Sequence, residues 1–353
     1  MEIQSPRVKT LPTLAIGLFF TFMALAGLAQ SHRIAIDTHK IDSLIQTTSL
    51  RPFNGMILVA QHGKALYSKA YGAADMVKKT NFAPNAQFVI GSVSKQITAV
   101  LVLQASEKGL IDLQSPVKKY LPKLTMPWAD TITAHHLLCH TSGIQGREMP
   151  LAFKPGARFS YSNQGYGLLG EILAAVHGKP YDELVMALFK RCGMRHSGTP
   201  TSIKLDKLLT GFSKQPDGSI ATEPNTLQGI PVPAGLLIST AADLVRWNVM
   251  LHQKQKLLGA KTYAEMLKTH SRRPHPIFGD VDYGYGLQFT RLDSIHEISH
   301  GGYAPGFVTV NFYYPKTETS LIVMENLDWQ DPAFKESYHF EMEIRRIVRR
   351  AQL

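Results

Sequence analysis

The chain has 353 residues, 44% of them apolar and 18% charged, which is enough apolar sequence to bury the core of one or two globular domains. Its 27 glycines and 20 prolines follow no period, which excludes collagen-like and solenoid repeats. The net charge of +11 comes without a basic run interleaved with aromatic residues, so the composition favours an anionic cell envelope as surroundings and argues against nucleic-acid binding.

The first predicted element is a secretory signal peptide over residues 1–29. Two basic residues precede a charge-free stretch, Leu11 to Leu28, and small residues precede a predicted cleavage site after Ala29. The stretch is 18 residues long, the lower limit for a membrane-spanning helix, so an uncleaved anchor is the alternative. The sequence therefore predicts an exported protein, periplasmic or secreted, with one domain over residues 30–353.

A hairpin and a helix are predicted next along the chain. Strand-like runs at residues 55–60 and 64–71 flank a short glycine-containing turn and predict an antiparallel pair. Apolar residues at helical spacing then predict a helix from about 93 to 108, because a glycine follows it as a stop signal. This prediction places Ser92 at the N-terminus of the helix.

The rest of the chain changes from helical to strand-like patterns and back. Residues 110–270 favour short amphipathic helices joined by Gly/Pro-rich connections, residues 283–326 favour strands, and the tail 332–350 is helical. The predicted helices of the middle are 166–177, 181–189 and 241–251. The predicted strands are 285–289, 307–314 and 320–324, with a turn at 315–318. In the helical tail, four arginines are expected on the solvated side: Arg345, Arg346, Arg349 and Arg350.

Strands near both ends and a helical middle predict an α/β (α+β) fold. One antiparallel sheet is expected to form from residues of about 50–90 and 280–353, and a mainly helical part of about 91–279 is inserted between them.

One sequence motif suggests a metal site that its context does not support. Residues His296 to His300 match H-E-x-x-H, which on a helix places two imidazoles on a zinc ion with Glu297 as base. The β-branched neighbours and the glycines that follow predict an extended segment instead, so the two histidines do not share a helical face one turn apart. We therefore expect no metal and no cofactor.

Two cysteines, Cys139 and Cys192, are too few for a disulfide scaffold or a Cys-based zinc site. They could pair in an oxidising compartment, or they could stay unpaired as small buried hydrophobes.

The strongest chemical signal is an S-x-x-K motif formed by Ser92 and Lys95 at the predicted helix start. Residues three apart share a helix face, so a neutral amine can approach the hydroxyl and take its proton once burial lowers the lysine pKa. The helix N-terminus adds backbone N–H groups for an oxyanion. A second match, Ser115 to Lys118, contains proline and falls in a predicted turn, and no G-x-S-x-G motif exists.

Two further motifs follow in order, a Y-x-N at Tyr161 to Asn163 and an H-x-G at His300 to Gly302. With them the sequence resembles the serine β-lactamase and penicillin-binding family, specifically the branch of class C β-lactamases, D,D-carboxypeptidases, D-aminopeptidases and family VIII esterases. The resemblance covers most of residues 50–327 and implies a β-lactamase/transpeptidase-like fold. Supporting segments are 88–91, 136–143, 235–244 and 302–307.

The resemblance also implies roles for these residues. Ser92 is the acylated nucleophile and Lys95 its activating partner. Tyr161 acts with Lys95 in proton transfer to the leaving group, provided that a nearby cation lowers the pKa of the phenol. Asn163 hydrogen-bonds the substrate amide and Lys95.

The H-x-G segment is expected to form the substrate-binding edge of the site. His300, Gly301 and Gly302 lie along it, and the backbone N–H groups of Ser92 and Tyr303 form the oxyanion hole. Class C β-lactamases carry Lys-Thr-Gly here, so the histidine weakens the attraction for a substrate carboxylate and predicts inefficient penicillin turnover.

The predicted function is that of an exported serine hydrolase acting on D-amino-acid-containing peptides, as a D,D-peptidase or D-aminopeptidase-like enzyme. A family VIII-type carboxylesterase or a β-lactamase is the alternative, and a catalytically weak penicillin-binding or sensor protein is the alternative of another class. The expected partners are a small peptide, ester or β-lactam substrate and the cell wall; the oligomeric state stays open.

Overall fold

The computed structural model describes residues 1–2, 34–47, 51–292 and 294–353. The chain divides into a short unit, Met1–His32, and one compact unit, Arg33–Leu353. Beyond its first two residues, the predicted signal peptide lies outside the described residues. Within the described part, no helix combines the length and apolar character that a membrane crossing needs.

Helices and strands follow the predicted order along the chain. The α-helices of the described residues are α1 (Thr38–Thr47), α2 (Ser94–Glu107), α3 (Ala134–Leu138), α4 (Asn163–His177), α5 (Tyr181–Cys192), α6 (Val232–Gly235), α7 (Ala241–Asn248), α8 (Ala260–Met266) and α9 (His339–Arg350). The strands are β1 (Gly55–Gln61), β2 (Lys64–Tyr71), β3 (Phe88–Val89), β4 (Phe212–Lys214), β5 (Ile220–Thr222), β6 (Ile238–Ser239), β7 (Ser271–His275), β8 (Gly279–Tyr283), β9 (Gln288–Leu292), β10 (Ile295–Ala304), β11 (Phe307–Tyr314), β12 (Thr319–Glu325) and β13 (Leu327–Asp328).

The large sheet joins both ends of the chain. Its order is β2-β1-β12-β11-β10-β9-β8-β7, and every neighbouring pair is antiparallel. Strand β12 pairs with β1 in a register that sets Ile57 against Val323. The prediction of one antiparallel sheet built from both ends is confirmed, but the C-terminal contribution begins at Ser271 and not at about 280.

The core lies on both faces of this sheet because successive side chains of a strand point to opposite faces. On one face, β1 and β12 pack against α7, and their side chains belong to the same core as those of α2, which is buried along nearly its whole length. On the other face, the alternate residues of the same strands pack against α1 and α9. The buried helix that follows Ser92 therefore shares one core with the sheet.

Two predicted boundaries are wrong, and the largely helical middle contains short strands as well. The strand expected at 285–289 begins at Gln288, because Gly286 has a φ of 68° and turns the chain before it. The tail becomes helical only at His339. The middle also holds strands, since β4 and β5 form a small sheet with β13.

The H-E-x-x-H segment is extended, as predicted, because it lies within β10. Four residues along a strand span about 13 Å, so His296 and His300 do not meet at one point. The carboxylate of Glu297 is instead buried against α9, where Arg345 Nη2 lies 2.8 Å from its Oε1 and Arg349 Nη1 lies 3.5 Å from its Oε2. In the described part of the chain, no cluster of three His, Cys, Asp or Glu residues could hold a metal ion.

The expectation that the arginines of the tail face solvent is therefore wrong for half of them. Arg345 and Arg349 are buried, while Arg346 and Arg350 are exposed. Cys139 and Cys192 are free and buried, and burial raises the pKa of each thiol to about 11.

Candidate active site

Ser92 lies in a 3-10 turn, Gly91–Val93, that leads directly into α2. The turn depends on glycine, because Gly91 has a φ of 52°, in the left-handed region. A Cβ at Gly91 would overlap the backbone nitrogen of Tyr303, and a Cβ at Gly302 would overlap the carbonyl oxygen of Ile90. Gly91 and Gly302 thus let the backbone of β10 pack directly against the backbone of Gly91–Val93, which we call the nucleophile turn.

The side chain of Lys95 is fully buried, and three oxygens surround its amine. Nζ lies 3.0 Å from Ser92 Oγ, 2.8 Å from Asn163 Oδ1 and 2.7 Å from the carbonyl oxygen of Ala234. Burial, and secondarily the positive charge of Arg273, lower the pKa of Lys95 well below its ordinary value. A neutral amine can donate its two hydrogens to Asn163 and Ala234, which leaves its lone pair directed at the Ser92 hydroxyl.

Tyr161 completes the contacts around the nucleophile. Its hydroxyl donates to Ser92 Oγ at 2.7 Å, and Lys95 Nζ lies 4.6 Å from the centre of its ring. Burial raises the pKa of the phenol above its ordinary value, although Arg273 and the hydrogen bond with Ser92 act in the opposite direction. The expected cation is present, but burial outweighs it, so the phenol starts the reaction protonated.

Asn163 is placed by the start of α4. Ser162 caps this helix, because its hydroxyl accepts the backbone N–H of Gly165 at 3.1 Å. Asn163 is the first residue of the helix, and its Oδ1 accepts a hydrogen bond from Lys95. One helix N-terminus therefore positions two neighbouring motif residues, Tyr161 just before the cap and Asn163 just after it.

The structure does not bring the His300 ring to the substrate side of the site. The ring is buried, with Nδ1 2.6 Å from the carbonyl oxygen of Gly301 and Nε2 2.9 Å from the hydroxyl of Tyr283. Burial, then Arg273 and Lys95, hold the pKa of this imidazole well below its ordinary value, so it is neutral. Both ring nitrogens are used within the protein, and the residues of this segment that line the cavity are Gly301 and Tyr303.

The predicted oxyanion hole agrees with the close packing of β10 on the nucleophile turn. A Cβ on Gly302 would lie 3.2 Å from the backbone nitrogen of Ser92, and the backbone nitrogen of Tyr303 lies against Gly91. The two backbone N–H groups are thus brought to the same place, and their role with substrate stays a prediction.

A cavity of about 290 Å³ opens onto these groups. Its floor is Ser92, Tyr161 and Asn163, and its walls mix polar and aromatic side chains. The remaining lining residues are Ile230, Arg273, His275, Gly301, Tyr303, Phe334 and Tyr338.

Arg273 is the residue of this cavity that sequence reasoning missed. Its guanidinium carbon lies 4.5 Å from the centre of the Tyr161 ring, and Nη1 donates to Gln288 Oε1 at 3.3 Å. Within the described part of the chain it forms no ion pair with a carboxylate. No sequence signal marked it: the alternation in β7 is one of burial alone, with Ser271, Arg273 and His275 half-buried between exposed neighbours.

Together, the antiparallel sheet, the buried helix and the Ser-Lys-Tyr contacts at its start define a serine hydrolase with the β-lactamase/transpeptidase fold. The chain belongs to the Beta-lactamase family, whose model matches residues 46–343.

Individual relatives support the same assignment. The protein PbpX of Bacillus subtilis (strain 168) is 26% identical over 294 residues, which are 78% of this chain and 71% of PbpX. The chain spans 59% of the length of its Staphylococcus aureus relatives. The octameric penicillin-binding protein homologue from Pyrococcus abyssi has a TM-score of 0.76 and 25% identity, covering 88% of this chain and 78% of that one. The D-amino acid amidase from Ochrobactrum anthropi SV3, complexed with D-phenylalanine, has a TM-score of 0.76 at 21% identity, covering 89% of this chain and 99% of that one.

Proposed function

We propose that this serine hydrolase is exported, forms an acyl-enzyme on Ser92 and cleaves D-amino-acid-containing peptides that end in a free carboxylate. The observation that carries the proposal is the set of contacts around Ser92 Oγ, with the Lys95 amine at 3.0 Å and the Tyr161 hydroxyl at 2.7 Å. These groups line a cavity together with the Arg273 guanidinium, which forms no ion pair with a carboxylate of the described residues.

The acylation step follows from the protonation states. Ser92 Oγ attacks the substrate carbonyl carbon while its proton passes to the neutral amine of Lys95. The oxyanion is stabilised by the backbone N–H groups of Ser92 and Tyr303. The C–N bond then breaks as Tyr161 donates its proton to the leaving amine, and the Lys95 ammonium returns a proton to the phenolate, which restores both side chains.

Water then attacks the acyl carbon and releases the acid, with the same residues acting in reverse. Because Lys95 must be neutral at the start, the rate is expected to rise with pH through its lowered pKa. Because Tyr161 must be protonated, the rate is expected to fall only above the ordinary pKa of tyrosine.

Arg273 supports a substrate with a carboxylate. The sequence interpretation assigned weak carboxylate attraction to the site because His300 replaces a lysine, but Arg273 supplies a positive charge from a different strand. A guanidinium binds a carboxylate with two parallel hydrogen bonds, which makes it a selective partner for a C-terminal carboxylate. The fold alone is shared with the D-amino acid amidase, so the substrate class rests on this cavity.

The test is a parallel assay of a D-alanyl-D-alanine peptide, its C-terminal amide, a p-nitrophenyl ester and nitrocefin. The proposal expects the highest kcat/KM for the free-acid peptide, and no turnover or covalent labelling in Ser92→Ala. Ser115→Ala, in the second S-x-x-K match, is the control and is expected to keep wild-type rates. A Ser92→Ala protein that retains turnover would refute the assignment.

An esterase is the second candidate, because Ile230, Phe334 and Tyr338 give the cavity an apolar side that suits an uncharged acyl or alkoxy group. A higher kcat/KM for the p-nitrophenyl ester than for the peptide acid would favour it. Fast opening of nitrocefin would favour a β-lactamase. Stoichiometric labelling by a penicillin without turnover of any substrate would favour a penicillin-binding sensor.

Export is proposed from residues 1–29 and the basic composition. N-terminal sequencing of the protein recovered from outside the cytoplasm is expected to begin at Gln30. An intact Met1 on a membrane-bound protein would support the uncleaved anchor instead.

A further inference from the structure

A buried histidine outside the motifs holds the segment that carries Tyr161. His140 follows α3, and its φ of 58° lies in the left-handed region, which few residues other than glycine adopt. Its side chain is almost completely buried, at 1% exposure. A strained backbone and a buried imidazole at the same residue indicate that the surrounding structure requires this conformation.

His140 contacts three consecutive residues of that segment. Its carbonyl oxygen accepts the backbone N–H of Ser160 at 2.8 Å. Its ring lies 4.3 Å from the ring of Tyr161, centre to centre, at an angle of 33°. Its Nδ1 accepts the backbone N–H of Ser162 at 3.1 Å. Backbone and side chain of one residue therefore fix the position of the Tyr161 backbone and the plane of its ring.

The imidazole is suited to this task because it stays neutral. Burial, together with the positive charge of Arg273, holds the pKa of His140 well below its ordinary value. Since Nδ1 accepts a hydrogen bond, the proton lies on Nε2, for which the described residues provide no hydrogen-bond partner. The other rings that face it are those of Phe159, Tyr166 and Tyr283.

We propose that His140 is a positioning residue for Tyr161: its ring face and its Nδ1 aim the phenol hydroxyl at Ser92 Oγ for protonation of the leaving group. The proposal rests on the proposed function, because it assumes that Tyr161 is the general acid of acylation. His140 itself exchanges no proton during the reaction.

The test separates the two features of the imidazole. His140→Phe keeps an aromatic ring against Tyr161 and removes the acceptor for the Ser162 N–H. His140→Asn keeps an acceptor close to the position of Nδ1, tolerates a positive φ and removes the ring. The two variants also guard against a folding failure in either one, which thermal unfolding and the retained turnover of the p-nitrophenyl ester would reveal.

The readout is leaving-group dependence of kcat/KM. An amine must be protonated as it leaves, whereas p-nitrophenolate leaves without help, so loss of a general acid slows the peptide far more than the ester. Tyr161→Phe is expected to lower the peptide rate by about 10²- to 10⁴-fold and the ester rate much less. Both His140 variants are expected to show the same selective loss with a smaller size.

A double mutant completes the test. If His140 acts through Tyr161, adding His140→Phe to Tyr161→Phe causes no further selective loss on the peptide. Equal losses on peptide and ester, or losses that multiply in the double mutant, would overturn the positioning role. If Tyr161→Phe alone shows no leaving-group dependence, the assignment of the general acid fails first.

The matched control is His252→Asn. His252 is also buried, stacks on Tyr313 at 4.9 Å and contacts the Tyr263 hydroxyl at 3.0 Å, but unlike His140 it makes no described ring contact with Tyr161. We expect it to leave the ratio of peptide to ester kcat/KM unchanged, whatever it does to stability. If His252→Asn also changed this ratio, the ratio would not report specifically on Tyr161, and the result would count against the proposal.

Discussion

Around the active site, Lys95 and Arg273 form no ion pair with a carboxylate in the described part of the chain, whereas on the α9 face of the sheet Glu297 and Glu325 are each bound by a buried arginine. Burial without a counter-charge makes the Lys95 amine neutral and able to accept a proton. Burial with a counter-charge instead ties distant elements together, because each buried pair joins residues far apart in the chain. The same physical condition therefore produces reactivity on one side and rigidity on the other.

The α9 face shows how strongly this pairing is needed. Arg51 binds Glu325 through two bonds, Nη1 to Oε2 at 2.8 Å and Nη2 to Oε1 at 2.6 Å. Glu341 of α9 lies beside them, with Arg51 Nη2 3.6 Å from its Oε2 and no hydrogen bond to either oxygen among the described residues. Burial and the neighbouring Glu325 raise the pKa of Glu341 well above its ordinary value, and of these two carboxylates Arg51 forms hydrogen bonds only with that of Glu325.

The largest expected effect comes from removing the neutral amine. Lys95→Met keeps the length of the side chain but cannot accept the Ser92 proton, and we expect kcat/KM to fall by about 10³-fold or more. Steady-state assays with the peptide and the ester measure it, with Lys118→Met as the control in the other S-x-x-K match. A loss below about 10-fold would show that another group activates Ser92.

The next prediction tests the buried ion pair of Glu297 and Arg345 on the α9 face of the sheet. Glu297→Ala leaves Arg345 buried without its carboxylate, and we expect the free energy of unfolding to fall by about 3–5 kcal/mol. Urea unfolding measures the change. The control is Glu343→Ala, because Glu343 pairs with Arg346 near the surface of α9, where a salt bridge contributes about 0–1 kcal/mol. Equal effects of the two substitutions would contradict the difference between buried and surface pairs.

A smaller effect is expected from removing the Arg273 guanidinium, which forms no ion pair with a carboxylate in the described part of the chain. Arg273→Ala is expected to lower kcat/KM for a free-acid D-peptide by about 10- to 100-fold, as for loss of a hydrogen bond to a charged group, and to spare the peptide amide and ester. The assay is run above the acidic limb of the pH profile, because removing Arg273 also raises the pKa of Lys95. Arg272→Ala changes an exposed neighbour on the same strand and serves as the control. Equal losses on acid and amide would exclude carboxylate recognition.

The smallest expected effect is a dependence of the free energy of unfolding on pH. Between its lowered pKa in the folded protein and its ordinary value of 10.5, Lys95 binds fewer protons folded than unfolded. Wild-type stability relative to Lys95→Met should therefore rise with pH, by up to about 1.4 kcal/mol per unit, and level off above 10.5. Thermal or urea unfolding at several alkaline pH values measures the difference. A flat difference would mean that Lys95 keeps its proton in the folded state.

The sequence predicted the parts of the site that depend on local spacing. Ser92 and Lys95 come together because residues three apart at a helix start share a face. Tyr161 and Asn163 were named by the motif of the resembling family, whereas the cap at Ser162 that they flank was not predicted. The sheet was predicted from strand patterns near both ends of the chain. Strands β1, β11 and β12 consist mostly of apolar residues, and they are buried on both faces of the sheet.

The remainder depends on contacts between elements far apart in the chain. The β7 sequence, Ser-Arg-Arg-Pro-His, lacks the apolar alternation of a strand, so neither the strand nor Arg273 was predicted. The H-x-G motif located His300, but Tyr283 on β8 decides where its ring points. The burial of Arg345 depends on its hydrogen bonds with Glu297 of β10. The residue spacing within α9 gives no information about this partner on a distant strand.

The pairing of β1 with β12 has a consequence for how the enzyme is made. Arg51 and Glu325 meet although 274 positions separate them, so the sheet cannot close until Glu325 has left the ribosome. Strand β10, which backs the nucleophile turn, is synthesised after the helical middle. A nascent chain that stops before β12 therefore has no assembled catalytic centre, and it gains hydrolytic activity only once β12 is available.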